Sequence, residues 1–223
     1  MKIKKILSFL TLCIVAFSCK KNTTTTLPPA AVPYMSVTVN STWQYQFTDN
    51  ITAKTNNYIL TSTNRDTSIG SKMYHVFTNS AAGLSEYYNV SGADYYNYRS
   101  LSANLGNSKL EILYLKDNQT EGSTWQQTST LDVSGLTIPV TINNKIEEKG
   151  ISRSVNGITY QDVIHVSSTI SSDAIPSAKL VTDIHNYYAP KVGVIESTYK
   201  VMLNYIIISN IDTKSILLSS DIK

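Results

Sequence analysis

Thiols are nearly missing from this sequence. Among 223 residues only Cys13 and Cys19 occur, so no disulfide framework holds the fold. Histidine is scarce as well: His75, His165 and His185 are the three examples, and none stands at metal-ligand spacing from another. Asp183 and His185 are two apart and share one face of an extended run. A zinc site needs three or four ligands, so no metal and no cofactor is expected. Signatures of nucleophilic and phosphate chemistry are missing too. Gly83-Leu-Ser-Glu-Tyr87 lacks the second glycine of a nucleophile elbow. There is no H-E-x-x-H, no glycine-rich phosphate loop and no EF-hand ligand run. Glu147 and Glu148 are adjacent, and in a strand they point to opposite faces. The sequence names no catalytic residue, and the expectation is a protein that is not an enzyme. Long apolar runs are also missing. The stretch Ile6–Phe17 has 12 residues, about 18 Å as a helix, against about 30 Å for a bilayer core.

What is present begins at the N-terminus. Lys2, Lys4 and Lys5 precede that short apolar stretch, and the small residue Ser18 ends it. This is the pattern of a secretory signal peptide. The segment Ala16-Phe17-Ser18-Cys19 resembles the lipobox of bacterial lipoproteins. Ala16 and Phe17 depart from the stricter pattern, which has Leu three residues before the cysteine and a small residue between. The resemblance implies cleavage before Cys19, lipid attached to Cys19, and a membrane partner reached through that N-terminal lipid. Residues 1–18 are then the signal and 19–33 a lipidated tether. Two or three acyl chains suit stable anchoring, since one alone binds only marginally. The mature chain keeps no free thiol. Loss of the three signal lysines leaves sixteen basic and sixteen acidic residues, a balance that draws it to neither nucleic acid nor an anionic surface. The tether KKNTTTTLPPAAVP (residues 20–33) holds three of the six prolines and no aromatic residue, a composition that cannot offset the cost of ordering. No acidic residue lies between Cys19 and Asp49. Some surface-exported lipoproteins resemble one another in an acidic cluster there, so the periplasmic side of the outer membrane is favoured over the cell surface.

The remaining residues, 34–223, suit a single β domain. No capped stretch keeps apolar residues at helical spacing over three turns. Period-two runs recur instead. Ile158, Tyr160, Ile164 and Val166 share one parity, as do Val140, Ile142 and Ile146, and Ile195, Ser197, Tyr199 and Val201. Asn156-Gly157 is the strongest hairpin signal. Gly70, Gly83, Gly92, Gly106, Gly122, Gly135 and Gly150 mark further breaks. The fold class expected is all-β and mainly antiparallel, a curved meander sheet or half-barrel of roughly ten or more strands. A short helix is allowed at 177–181 or in the tail after Thr213.

Four stretches carry a second resemblance: YMSVTVNSTWQY (34–45), GSTW (122–125), VNGITYQDVI (155–164) and YYAPKVGVIE (187–196). Their order and spacing are similar to a family of Gram-negative envelope lipoproteins of unknown function. The resemblance implies a curved antiparallel half-barrel like that of the periplasmic lipoprotein carriers, with a concave face able to hold an apolar ligand. This chain departs from the pattern in having Asn40-Ser41 where a glycine is common before the first Trp. It also has Lys191 where a glycine often precedes Val-Gly. From the residues themselves, Trp43 and Trp125 read as core, and Gly193 as a turn or bulge with positive φ.

Tyrosine is the one abundant side chain with binding potential. Five of the fifteen crowd into Tyr87, Tyr88, Tyr95, Tyr96 and Tyr98 around Gly92. On a hairpin, Tyr96 and Tyr98 would share one face and Tyr95 the other. Exposed tyrosines beside Asn and Asp stack on sugar rings or anchor a protein partner. Two functions follow as expectations: a non-catalytic module holding an apolar ligand on its concave face, and a glycan- or protein-binding surface built on this hairpin.

Overall fold

The computed structural model describes residues 32–81, 84–100, 109–133, 136–205 and 208–223, all within one compact unit, Val32–Lys223. The signal, Cys19 and most of the tether lie outside the described residues, as do Gly83, Gly106 and Gly135. Twelve strands follow one another: β1 (Thr42–Asp49), β2 (Lys54–Ile69), β3 (Lys72–Asn79), β4 (Leu84–Ser91), β5 (Asp94–Ser100), β6 (Lys109–Lys116), β7 (Thr124–Val133), β8 (Leu136–Val155), β9 (Ile158–Ser171), β10 (Leu180–Ala189), β11 (Gly193–Asn204) and β12 (Ile208–Asp221). A 3₁₀ turn, Ser177–Lys179, enters β10. The tail after Thr213 is strand.

Every pairing is antiparallel, and the sheet runs β6-β5-β4-β3-β2-β1-β12-β11-β10-β9-β8-β7. Each strand pairs with its neighbours in sequence, except that β6 and β7 do not pair and β12 returns to β1. The meander expected from the sequence therefore closes almost fully, further round than a half-barrel. The turns explain much of this. Asn156 and Gly157 take φ of 50° and 77°, the two left-handed positions that a tight hairpin with the strands' own twist requires. Asn40 and Lys191, which stand where glycine is common in the family pattern, also have positive φ, 67° and 66°. The left-handed turn geometry survives both replacements. Gly193 has φ of 87°, and a Cβ there would sit 3.0 Å from the Met35 sulfur, so both conformation and space demand glycine.

Bulges bend the sheet. Gly150 does not break a strand; β8 runs through it, with register shifts on either side against β9. Asp162 adopts φ of 55° in the middle of β9. Its bulge interrupts the alternation expected there: Ile158 is exposed, while Val163, Ile164 and Val166 are all buried. Ile138, Val140, Ile142, Asn144 and Ile146 follow strict alternation and are all buried.

The main core fills one half of the barrel interior. It contains Met35, Trp43, Tyr45, Leu60, Phe77, Tyr95, Leu115, Trp125, Ile146, Val163, Ile164, Val166, Tyr188, Ile195 and Leu217, drawn from nearly every strand. Trp43 Nε1 donates to Val192 O at 2.7 Å, and Tyr45 Oη donates to Val194 O at 2.8 Å, so even the polar edges of these rings are satisfied. Burial pushes the Tyr45, Tyr88 and Tyr114 hydroxyls well above the usual phenol range. A smaller apolar cluster of Ile138, Val140, Ile175 and Leu203 covers the projecting ends of β8 and β11.

Candidate functional site

Inward residues can be followed row by row across the barrel. One row passes through Asn56, Phe47, Ser215, Ser197, Asn186 and Val166; the next passes through Thr213, Tyr199, Ile184, Ser168 and Asn144. The opposite wall contributes Glu86 on β4, and Asn97 and Arg99 on β5, on the same face as the buried Tyr95. These rows lie beyond the aromatic plug. They are mostly amides and hydroxyls, and Asn56, Phe47, Ser215, Ser197, Asn186, Tyr199, Thr213 and Arg99 all keep exposure to solvent. The aromatic core is packed by side chains, and the rows beyond it are mostly polar and partly exposed.

Polar contacts order the open half. Ser197 Oγ donates to Asn186 Oδ1 at 2.8 Å. Tyr58, stacked on Tyr45 with ring centroids 5.3 Å apart, hydrogen-bonds Ser215. Glu86 is fully engaged: Oε1 accepts from Asn79 Nδ2 and Oε2 from Tyr88 Oη, each at 2.7 Å. Arg99 reaches across to Tyr199, its Cζ 5.8 Å from the ring centroid. Among the described residues Arg99 has no ion-pair partner and is exposed. It is a free cation standing over an aromatic ring inside the lumen.

The five hairpin tyrosines divide between the faces. Tyr88 and Tyr95 point inward; Tyr95 is buried, and its hydroxyl donates to Asp117 Oδ2 at 2.6 Å. Tyr87, Tyr96 and Tyr98 are half-buried on the outer face. There Tyr98 contacts Tyr74 and Tyr87 at 6.1 and 6.2 Å between centroids, and Lys72 Nζ lies 4.2 Å over Tyr96. Lys72 also pairs with Glu111, which accepts from Tyr74 Oη. Elsewhere on the outside, Thr124, Gln126, Asn143, Lys145, Ser167 and Thr169 line a shallow depression of about 290 Å³.

Two histidine arrangements escaped sequence reasoning. In the first, His75 Nε2 lies 2.9 Å from Ser62 Oγ and His75 Nδ1 lies 2.7 Å from Asp66 Oδ1. The distances suit a Ser-His-Asp triad. But Ser62 has no exposed surface, and its hydroxyl is 3.1 Å from Val37 O. Through that bond the group ties β2 and β3 to the segment that precedes β1. In the second, on the outer face, Glu148, His165, His185 and Asp183 form a hydrogen-bonded chain. His165 and His185 are 20 residues apart, and only the pairing of β9 with β10 brings them together. Among the described residues no group of three or more His, Cys, Asp or Glu side chains converges on a metal-sized point.

No model of a known protein family matches the chain, and no curated protein matches it. Two solved structures resemble it. One, from Parabacteroides distasonis ATCC 8503, is provisionally classed as a lipoprotein; identity is 7%, 85% of this chain and 99% of that one are covered, and the TM-score is 0.47. The other, from Bacteroides fragilis NCTC 9343, is provisionally classed as an exported protein with a YmcC-like fold; identity is 10%, coverage is 86% and 100%, and the TM-score is 0.48. Likeness at this level concerns the course of the chain alone.

Proposed function

We propose that this protein is a lipid-anchored envelope protein that binds a polar, anionic ligand in the open half of its lumen, without catalysis. The observation that carries this reading is Arg99, exposed, unpaired and held over Tyr199, on a wall facing Asn186, Ser197 and Ser215. An aromatic ring to stack on, amides and hydroxyls to donate and accept, and one free cation suit an acidic sugar. Attachment through Cys19, on the periplasmic side of the outer membrane, belongs to the same proposal. Lipidation rests on the Ala16–Cys19 pattern.

Calorimetric titration with a short galacturonate oligomer, beside a neutral glucose oligomer of equal length, tests the site. Binding of the acidic oligomer alone is expected, weakened tenfold or more by Arg99→Ala with the melting temperature unchanged. Equal binding of both sugars, or none of either, would overturn it. For the anchor, Cys19→Ala should move the protein out of the membrane fraction; unchanged retention counts against lipidation. The outward Tyr87, Tyr96 and Tyr98 support a second reading, a docking surface for an envelope protein. Tyr98→Ala would then abolish capture of that partner while sugar binding persists.

A further inference from the structure

We infer that His165 and His185 form a clasp on the outer face that is complete only when the pair holds a single extra proton. Four groups make three contacts in a line. Glu148 Oε2 lies 3.1 Å from His165 Nδ1, His165 Nε2 lies 2.9 Å from His185 Nδ1, and His185 Nε2 lies 2.9 Å from Asp183 Oδ1. With both carboxylates ionised, the two ends of the chain can only accept. Three hydrogen bonds then require three N–H protons. Two neutral imidazoles carry two between them, so one contact would set a lone pair against a lone pair. Two imidazolium rings carry four, so His165 Nε2–H would face His185 Nδ1–H, with like charges in contact. One neutral ring and one charged ring satisfy all three contacts.

The two rings differ in burial. His165 is the less accessible, its side chain 11% exposed against 35% for His185. It stacks on Tyr187 with centroids 4.2 Å apart, and the Arg153 guanidinium lies 3.3 Å over Tyr187. Burial pushes the His165 imidazole below its ordinary value, and the neighbouring His185 acts the same way. The buried ring is the costlier one to charge, so the proton pattern that fits the three contacts has His165 Nδ1–H donating to Glu148, His185 Nδ1–H donating to His165 Nε2 and His185 Nε2–H donating to Asp183.

The surrounding charges come from every strand packed against the clasp. β8 adds Glu147, which accepts from Lys145 and Ser167, and Arg153, which pairs with Glu196 of β11; β12 adds Lys214, also on Glu196, and Lys200 of β11 pairs in register with Asp183. These four cations and two anions leave two positive charges over, which the Glu148 and Asp183 carboxylates of the chain itself offset. The clasp spans β8, β9 and β10 beside the shallow polar depression that holds Lys145 and Ser167. It would hold that face together over an intermediate pH range and release it on both sides, a pH-responsive element in a compartment open to outside acidity.

Two interacting sites of this kind take up protons in two separated steps. Nitrogen-15 NMR of the histidine rings, in the intact processed protein titrated from about pH 9 to about pH 4, reads this directly. A plateau with three protonated nitrogens among the four, bounded by steps about one pH unit or more apart, is expected. His185→Gln should remove the plateau and leave His165 a single step. Coincident steps for the two rings, or an unchanged His165 titration in His185→Gln, would overturn the inference.

Discussion

The barrel has two seams, and they are closed by different chemistry. Between β1 and β12 the ends of the chain meet through a backbone ladder running from Thr42 opposite Asp221 to Asp49 opposite Thr213, with one bulge after Gln44. Between β6 and β7 no ladder forms, and side chains span the gap. Trp125 Nε1 donates to Leu113 O at 2.9 Å, Leu113 N donates to Gln127 Oε1 at 2.7 Å, and Gln127 Nε2 donates to Glu111 O. Lys149 Nζ adds bonds of 2.7 Å to Asp117 O and Gln119 O in the connection. A ladder distributes closure over many groups, none of which depends on residue type. The second seam concentrates it in two side chains whose loss strands backbone groups of β6. The same barrel is thus robust to substitution at one seam and sensitive at the other.

The largest effect should come from Trp125→Ala, which removes core packing and a seam bond together. A loss of about 3–5 kcal/mol is expected in chemical denaturation; a loss below about 1 kcal/mol would mean that the seam is held elsewhere. Gln127→Leu keeps similar bulk but leaves Leu113 N and Glu111 O without partners, and should cost about 1–3 kcal/mol. Amide exchange in β6 and β7 should quicken in that variant while β1 and β12 stay protected. The backbone-closed side carries an acid-sensitive tie instead. Glu196 is buried, which opposes its charge, but hydrogen bonds from Lys214 and Arg153 outweigh this and hold its carboxyl below the usual range. A lowered folded value means stability present above the unfolded value and lost as pH falls through the folded one. Stability plotted against pH should therefore lose part of its acid limb in Glu196→Gln; an unchanged curve would remove Glu196 from the account. The smallest effect belongs to Gln44→Leu at the ladder seam. Its side chain only accepts a long bond from Ser219, at 3.4 Å, so the change should lie within about 0.5 kcal/mol. A cost equal to that of Gln127→Leu would erase the contrast between the seams.

How far each feature could be read in advance depended on its range along the chain. The Asn156-Gly157 turn needs nothing beyond two residues that tolerate positive φ, and it stands where the sequence puts it. The division of Tyr95 from Tyr96 and Tyr98 is also local, since alternation within one strand decides it. The bulge at Asp162 was hidden, because aspartate tolerates a φ of 55° better than most residues but adopts it only where the pairing of its strand requires it. Whether the concave face was open or filled was hidden as well. It depends on which inward residues of the twelve strands meet across the lumen, a matter of register between distant strands.

By itself the sequence determined the class of this protein: an antiparallel meander of alternating strands, preceded by a stretch that resembles a lipoprotein signal. Alternation and turn residues act over a few positions, so the chain states them outright. Only the tertiary structure decided that β12 returns to β1 and that Trp125 and Gln127 bridge the remaining gap. It alone gathered the aromatic rings into one core and set Arg99, without an ion-pair partner among the described residues, beside Tyr199. It also set His165 against His185, side by side on neighbouring strands. Those outcomes arise from the curvature and register of the whole sheet, which no local stretch of the chain encodes.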